Sequence, residues 1–467
     1  MIYINMKKIL QTRDIVFMTI AAILGIRWLP IAASYGAAAI VLWVLAALLF
    51  LVPLGLVATE LATTWPEEGG LYIWVKQAYG DKWGFMASWF YWVNNFFFYP
   101  ALLAFIAVTA VFLINPALAN NKLVICSIII ACLWFVTLLN LRSMQVMKWV
   151  ADLGGLFGVI LPGIVLVALA MVVVFIWHQP IPTDYSWSHW WPHLGKGSNI
   201  VFLSTLMFAM AGMEITPTLA GEVKNPQKTF PRALFISALL IVGLYITGTV
   251  AITWLITPDK IDAASGIMEA LAVITSDLHL PWLLMAVTIM IIIGSLGAMS
   301  MWVVTPLKML LESTKMGVLP HSLTKLNKHD MPSRAMLVQA VVITGIILIT
   351  ALMPSVNALY ETLVLMATIT YFIPYVFMFS AFFRLRAKYP HKHRPYHIPG
   401  GKWLAWLVGM LGFLSVLLAI VLPFITAPAD LKTINAILLY KIEIAAGPIL
   451  FFLIGYLIYT IYEQKKS

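Results

Sequence analysis

The chain has 467 residues, of which 62% are hydrophobic and 10% charged, with mean hydropathy +0.94 and a formal charge of +10. So small a charged fraction, against about 25% in soluble domains, excludes a soluble globular protein and points to a polytopic membrane protein. The two cysteines, Cys126 and Cys132, share one apolar segment, which supports neither a disulfide framework nor a thiolate metal site.

Apolar runs of about 20 residues, enough to cross a bilayer, are predicted at twelve places: roughly 15–35, 37–63, 84–114, 122–140, 149–177, 199–221, 232–256, 281–313, 335–353, 360–385, 402–425 and 436–462. The first contains Gly25-Ile26-Arg27-Trp28-Leu29-Pro30, a helix breaker, a formal charge and a proline inside otherwise unbroken hydrocarbon. A charge there is costly unless it meets water, a ligand or a counter-charge. The sixth repeats the Gly-x-charge-x-x-Pro spacing with opposite sign, as Gly212-Met213-Glu214-Ile215-Thr216-Pro217. Two broken helices at matching offsets predict a transporter of two structural repeats whose half-helix ends meet at a mid-membrane site. Segments 1 to 5 (15–177) and 6 to 10 (199–385) then form the repeats. An odd number of spans inverts the second, and 402–462 is left as two accessory helices.

The connections carry their own signals. Thr183 to Trp191 is aromatic and belongs at the outer interface, and the acidic stretch after Thr257 predicts a short external amphipathic helix. With a cytoplasmic N-terminus, only Lys122, Lys196, Lys260, Lys432 and Lys441 fall outside and Arg27 falls within the membrane. Every other Lys and Arg is inside. This positive-inside bias sets both termini in the cytoplasm and accounts for the basic excess without a nucleic-acid partner. The nine histidines all lie in connections or at their edges, and no filter motif or charged ring repeats. An intramembrane enzyme and a channel are therefore disfavoured, and no cofactor is expected.

Three loops carry a family resemblance. Gly69-Gly70-Leu71-Tyr72-x-Trp74 through Trp83-Gly84-Phe85, Gly221-Glu222-Val223-Lys224-Asn225-Pro226 through Pro231-Arg232-Ala233, and Pro306-Leu307-Lys308 through Gly317-Val318-Leu319-Pro320 resemble the loops after helices 2, 6 and 8 of the amino acid-polyamine-organocation superfamily. Trp65-Pro66-Glu67-Glu68 and Ile398-Pro399-Gly400-Gly401-Lys402 are most similar to its glutamate/GABA antiporter branch. The resemblance implies an all-α LeuT-type 5+5 inverted repeat with helices 1 and 6 broken. It also implies amino acid exchange by alternating access in a cell inner membrane, with proton-coupled, sodium-independent uptake of neutral or basic amino acids or polyamines as the alternative.

By position, the backbone of Leu24, Gly25 and Ile26 would hold the substrate carboxylate, and the carbonyls of Phe208, Ala209 and Gly212 its amine. Glu214 matches the family glutamate linked to gating and proton dependence. The usual Gly-Ser-Gly of helix 1 is replaced by Leu24-Gly25-Ile26-Arg27, so substrate identity does not transfer.

Arg27 admits three readings: a ligand for a second carboxylate on the substrate, a fixed cation in place of sodium, or a buried ion pair with Glu214 that only neutralises two charges. Asp152, near the start of segment 5, is a weaker candidate for proton coupling, with a solvated cytoplasmic helix end as its ordinary reading. Glu60, Lys308 and Glu312 also fall at cytoplasmic ends, where an inner-gate network and ordinary interfacial charges are both open readings. Among the aromatics, Trp28 and Phe208 flank the breaks and are expected to close the site. Tyr91, Trp92, Tyr371 and Phe372 share pathway-lining segments, and Asn94 and Asn95 in segment 3 are expected chiefly in interhelical hydrogen bonds.

Overall fold

The protein is described here from a computed structural model covering residues 10–67, 69–141, 156–191, 197–216, 223–314, 317–328, 331–425 and 434–466. Those residues are helical apart from loops and one isolated bridge between Leu10 and Val223. In chain order the main helices are α1 (Thr12–Ile23), α2 (Trp28–Ala33), α3 (Ala38–Thr64), α4 (Leu71–Tyr79), α5 (Asp81–Val111), α6 (Lys122–Asn140), α7 (Gly158–Ile176) and α8 (Gly197–Ala209). They continue with α9 (Pro226–Thr253), α10 (Gly266–Asp277), α11 (Pro281–Ser313), α12 (Ser333–Thr350), α13 (Val356–Lys388), α14 (Gly401–Ile425) and α15 (Ile434–Lys466).

Nine of the described helices are long and apolar enough to cross a bilayer. Of the twelve predicted segments the first, sixth and eighth are not among them. The eighth is α11, of which Pro281–Gly297 counts as a shorter apolar helix. The first and sixth are interrupted: α1 stops at Ile23 and α2 restarts at Trp28, and α8 stops at Ala209 before a run of turns. Proline shapes two continuous spans. One π turn, Ala47–Leu51, stands just ahead of Pro53, and another, Leu156–Ile160, ahead of Pro162. A proline has no N–H to give, and the wider turn absorbs the missing bond. The predicted external amphipathic helix is α10, one face of which buries Ile267, Leu271 and Ile274.

α5 is wrapped by neighbours over most of its length, whereas α7 and α15 present most of their side chains outward. Apolar residues such as Ile164, Leu239, Leu407 and Leu453 are more than half exposed, as expected of surface that meets lipid rather than water. Glycine sets two close approaches. A Cβ on Gly158 of α7 would lie 1.9 Å from the Gly294 Cα of α11, and one on Gly25 would lie 3.0 Å from the Trp28 ring. Of the charged residues expected at cytoplasmic ends, Asp152 lies outside the described residues, as do the side chains of Lys308 and Glu312.

Glu60 of α3 is buried. It receives a bidentate bond from Arg386 of α13, Nε at 2.8 Å and Nη2 at 2.6 Å, and the Ile398 N–H at 3.0 Å, with Arg394 Nε 3.4 Å away. It is a buried tie between α3, α13 and the loop leading to α14, which fits a network of charges at this end of the helices better than an ordinary interfacial charge.

Candidate functional site

At the first break Leu24 is extended (φ −68°, ψ 123°) and the chain turns through Gly25-Ile26-Arg27 into α2. Leaving the helix strands backbone donors. The Gly25 N–H finds the Tyr245 hydroxyl at 3.2 Å, while those of Ile26 and Arg27 have no backbone acceptor among the described residues. At the second break Gly212 takes φ +118°, a conformation costly for any side chain, and a Cβ there would also press on Ile23 at 3.3 Å.

The two breaks are tied together by one phenol. The Tyr245 hydroxyl of α9 lies 2.9 Å from both the Ile23 and the Ala209 carbonyls, so its one proton is shared between a carbonyl of each break. Its ring is fixed by stacking on Trp43 (centroids 4.3 Å apart, planes 5° apart), and Trp43 donates to Thr249 one turn further along α9. Thr19 and Thr216 add a hydroxyl–hydroxyl bond of 3.1 Å.

A cavity opens beside the breaks. Its wall includes Leu24, Gly25, Ile26, Arg27, Trp28, Phe208 and Ala209, seven of the predicted residues, with Asn94, Phe98, Ser295, Trp302 and Tyr371 completing the polar and aromatic part. Gly212 and Glu214 are not in that wall. The Gly212 N–H donates to the Tyr375 hydroxyl at 3.1 Å, and the Phe208, Ala209 and Gly212 carbonyls accept from Ala211 N–H, Tyr245 and Ile215 N–H. Each carbonyl keeps a second lone pair.

Arg27 and Glu214 do not pair. Glu214 is 1% exposed and accepts three phenolic bonds: Tyr91 at 2.7 Å and Tyr371 at 2.9 Å on Oε1, and Tyr375 at 2.7 Å on Oε2. Three donors satisfy this carboxylate without a cation. The Arg27 guanidinium instead lies over aromatic faces, 4.0 Å from the Trp28 centroid and 4.7 Å from that of Phe98, and its Nη1 is buried without a hydrogen-bond partner. The ion-pair reading of Arg27 and Glu214 is therefore corrected: each charge has its own environment, and that of Arg27 is incomplete. Cation–π contact offsets part of its desolvation, by about 2 kcal/mol when buried, against a penalty of several kcal/mol for an unpaired buried ion. No carboxylate stands in the described wall of the cavity.

The flanking aromatics close around this cation. Trp28 meets Phe208 edge-on at 5.4 Å, and Phe208 touches Phe98 at 6.1 Å and Tyr371 at 5.6 Å. Trp92 serves elsewhere, donating to Gln339 at 2.6 Å, while Phe372 packs between Phe50 and Phe208, its centroid 6.4 Å from that of Phe208. Sequence reasoning did not single out Tyr245 or Tyr375. Neither sits in a motif, and only their hydroxyls' partners, tens to hundreds of residues away, distinguish them from packing aromatics.

A family model described as amino acid permease matches residues 10–447, which cover the whole of this site. The chain belongs to that family. An uncharacterized transporter of Legionella pneumophila is 34% identical over 98% of both chains. A glutamate/gamma-aminobutyrate antiporter of Lactococcus lactis is 25% identical, covering 90% of this chain and 84% of its own. A probable agmatine/putrescine antiporter of the same species is 26% identical, covering 89% and 87%. This amino acid permease is accordingly a multi-pass membrane transporter of the amino acid-polyamine-organocation superfamily and not an enzyme, and antiporters of the glutamate/GABA branch are among its relatives.

Proposed function

We propose that this permease is a twelve-helix, LeuT-type secondary transporter that exchanges amino acids of the glutamate/GABA kind by alternating access. Its first repeat spans 15–177, the inverted second 199–385 and the accessory pair 402–462, in one domain over 1–467, set in a cell inner membrane with both termini cytoplasmic. The substrate's carboxylate would rest on the backbone at Leu24, Gly25 and Ile26, where the Ile26 N–H has no backbone acceptor among the described residues while those of Leu24 and Gly25 bond Ile20 and Tyr245. Its ammonium would take the free lone pairs of the Phe208, Ala209 and Gly212 carbonyls, since opposite half-helix ends carry opposite partial charges. Trp28 and Phe208 would close over it.

One observation carries the choice of substrate: Arg27 is a buried cation with an unpartnered Nη1 in a cavity whose described wall holds no carboxylate. An anionic side chain relieves that deficit, whereas a dicationic polyamine adds a second positive charge to it. The relative named for agmatine and putrescine is as close in identity as the one named for glutamate, so the percentages favour neither and the support for an anionic substrate comes from the Arg27 environment.

A second reading, proton-coupled and sodium-independent uptake, is favoured by Glu214, a buried acid at the second break held by three phenols. On it, Glu214→Gln transports with its pH dependence abolished; a full pH profile in that variant excludes proton coupling through Glu214.

Counterflow of labelled glutamate into proteoliposomes preloaded with unlabelled glutamate tests the main reading. Uptake is expected to accelerate with internal substrate and to be competed by glutamate and GABA but not by arginine or putrescine. Better competition by putrescine than by glutamate overturns it.

A further inference from the structure

Asn94 is a second polar side chain of the cavity wall without a hydrogen-bond partner among the described residues. It is 1% exposed, its Oδ1 is buried without a hydrogen bond, and it lines the same cavity as Arg27. Its neighbour Asn95 also has a buried Oδ1 without a partner, but it is absent from the cavity wall and its amide donates across to the Trp302 carbonyl of α11 at 3.4 Å. Asn94 has no comparable interhelical bond among the described residues. A buried amide left unpaired costs about 1–3 kcal/mol, and an amide offers an acceptor and two donors whichever way it is turned.

Position tells what the amide faces. Tyr91, Asn94, Phe98, Leu102 and Phe105 recur at helical spacing along one face of α5. Tyr91 donates to Glu214 at one end of this stripe, and Phe98 lies under the Arg27 guanidinium one turn beyond Asn94. Four of the five line the cavity. The stripe thus presents a neutral donor–acceptor group between a sealed carboxylate and an unpaired guanidinium.

We propose that Asn94 is a specificity-determining residue that reads the end of the substrate side chain together with Arg27, and that the pair admits ω-carboxamide amino acids beside ω-carboxylates. The proposal rests on the transport reading above. A carboxamide such as that of glutamine gives its C=O to Arg27 and its NH2 to Asn94 Oδ1, satisfying both orphans at once. A carboxylate satisfies Arg27 and takes Asn94 through the amide donors instead. An aliphatic side chain leaves both unpaired, and a cationic one opposes Arg27.

The test is competition of labelled glutamate counterflow by unlabelled glutamate, glutamine and leucine, for wild type, Asn94→Leu and Asn94→Asp. Wild type is expected to accept glutamine within about tenfold of glutamate and to reject leucine. Asn94→Leu should lose glutamine at least tenfold more than glutamate, whose charge still meets Arg27. Asn94→Asp sets a carboxylate in the same wall as Arg27; glutamate should be rejected while glutamine still donates to the new acceptor, so the preference inverts. A structural asparagine would scale every substrate alike, and equal shifts of glutamate and glutamine in both variants overturn the proposal. So does a wild type that carries glutamate but ignores glutamine. If wild type carries no glutamate at all, it is the transport reading that fails.

Discussion

Arg27 and Tyr245 divide the work at the junction of the two breaks. Arg27 supplies charge without a protein counter-ion, and Tyr245 supplies the bond that keeps two interrupted helices in register. Tyr245→Phe keeps the stack on Trp43 but leaves the Ile23 and Ala209 carbonyls and the Gly25 N–H short of a partner. A loss of roughly 1–3 kcal/mol is expected, read as a lower melting temperature of the purified protein in detergent; an unchanged midpoint would mean that water takes the hydroxyl's place. Arg27 was legible in the sequence because a charge and a breaker stand out in hydrocarbon. What the charge faces was not: the sequence shows that Arg27 and Glu214 share an offset, but not that phenols from α5 and α13 surround one and rings from α2 and α5 the other. Aromatics make up 13% of the chain, so the three tyrosines of Glu214 carry no individual signal until folding brings positions 91, 371 and 375 together.

At the scale of elements, the interruptions in the first and sixth segments followed from Gly and Pro in apolar runs, and α10 from its acidic periodicity. The Glu60 tie did not follow, since a charge near a helix end looks the same whether solvated or bound. Arg386→Ala would leave buried Glu60 with only the Ile398 N–H and the more distant Arg394, and should cost about 3 kcal/mol, the low end for a broken buried pair, because those partners remain and Arg386 itself keeps 15% of its side-chain exposure. Glu60→Gln with Arg386→Gln should recover part of that loss, a coupling that thermal midpoints of the two single variants and the double variant would measure. The α7–α11 crossing gives a second contrast. Gly158→Leu drives its side chain into the Gly294 backbone and should abolish recovery of monodisperse protein, whereas Gly163→Ala, which meets nothing within 4 Å on the same helix, should leave yield and melting temperature unaltered. Equal behaviour of the two variants would contradict the close approach.

Over the whole molecule, the described helices form a lipid-facing shell around aromatic-rich α5 and α13, with the breaks of the first and sixth segments meeting beside them. Hydropathy is enough to reveal such a shell, because lipid demands continuous apolar helices. It is silent on which polar atoms inside lack partners, and those atoms define the substrate. The central claim is that the unpaired guanidinium of Arg27 is completed by the substrate's anion. Half-saturation constants for exchange in proteoliposomes, wild type against Arg27→Gln, test it most directly when taken for glutamate and for GABA, a neutral amino acid with no side-chain carboxylate or carboxamide to offer Arg27. A charge-assisted hydrogen bond is worth about 1.5–3 kcal/mol, so glutamate should weaken at least tenfold while the neutral substrate changes less than threefold. Equal weakening of both, or of neither, would make Arg27 a structural cation and contradict the account.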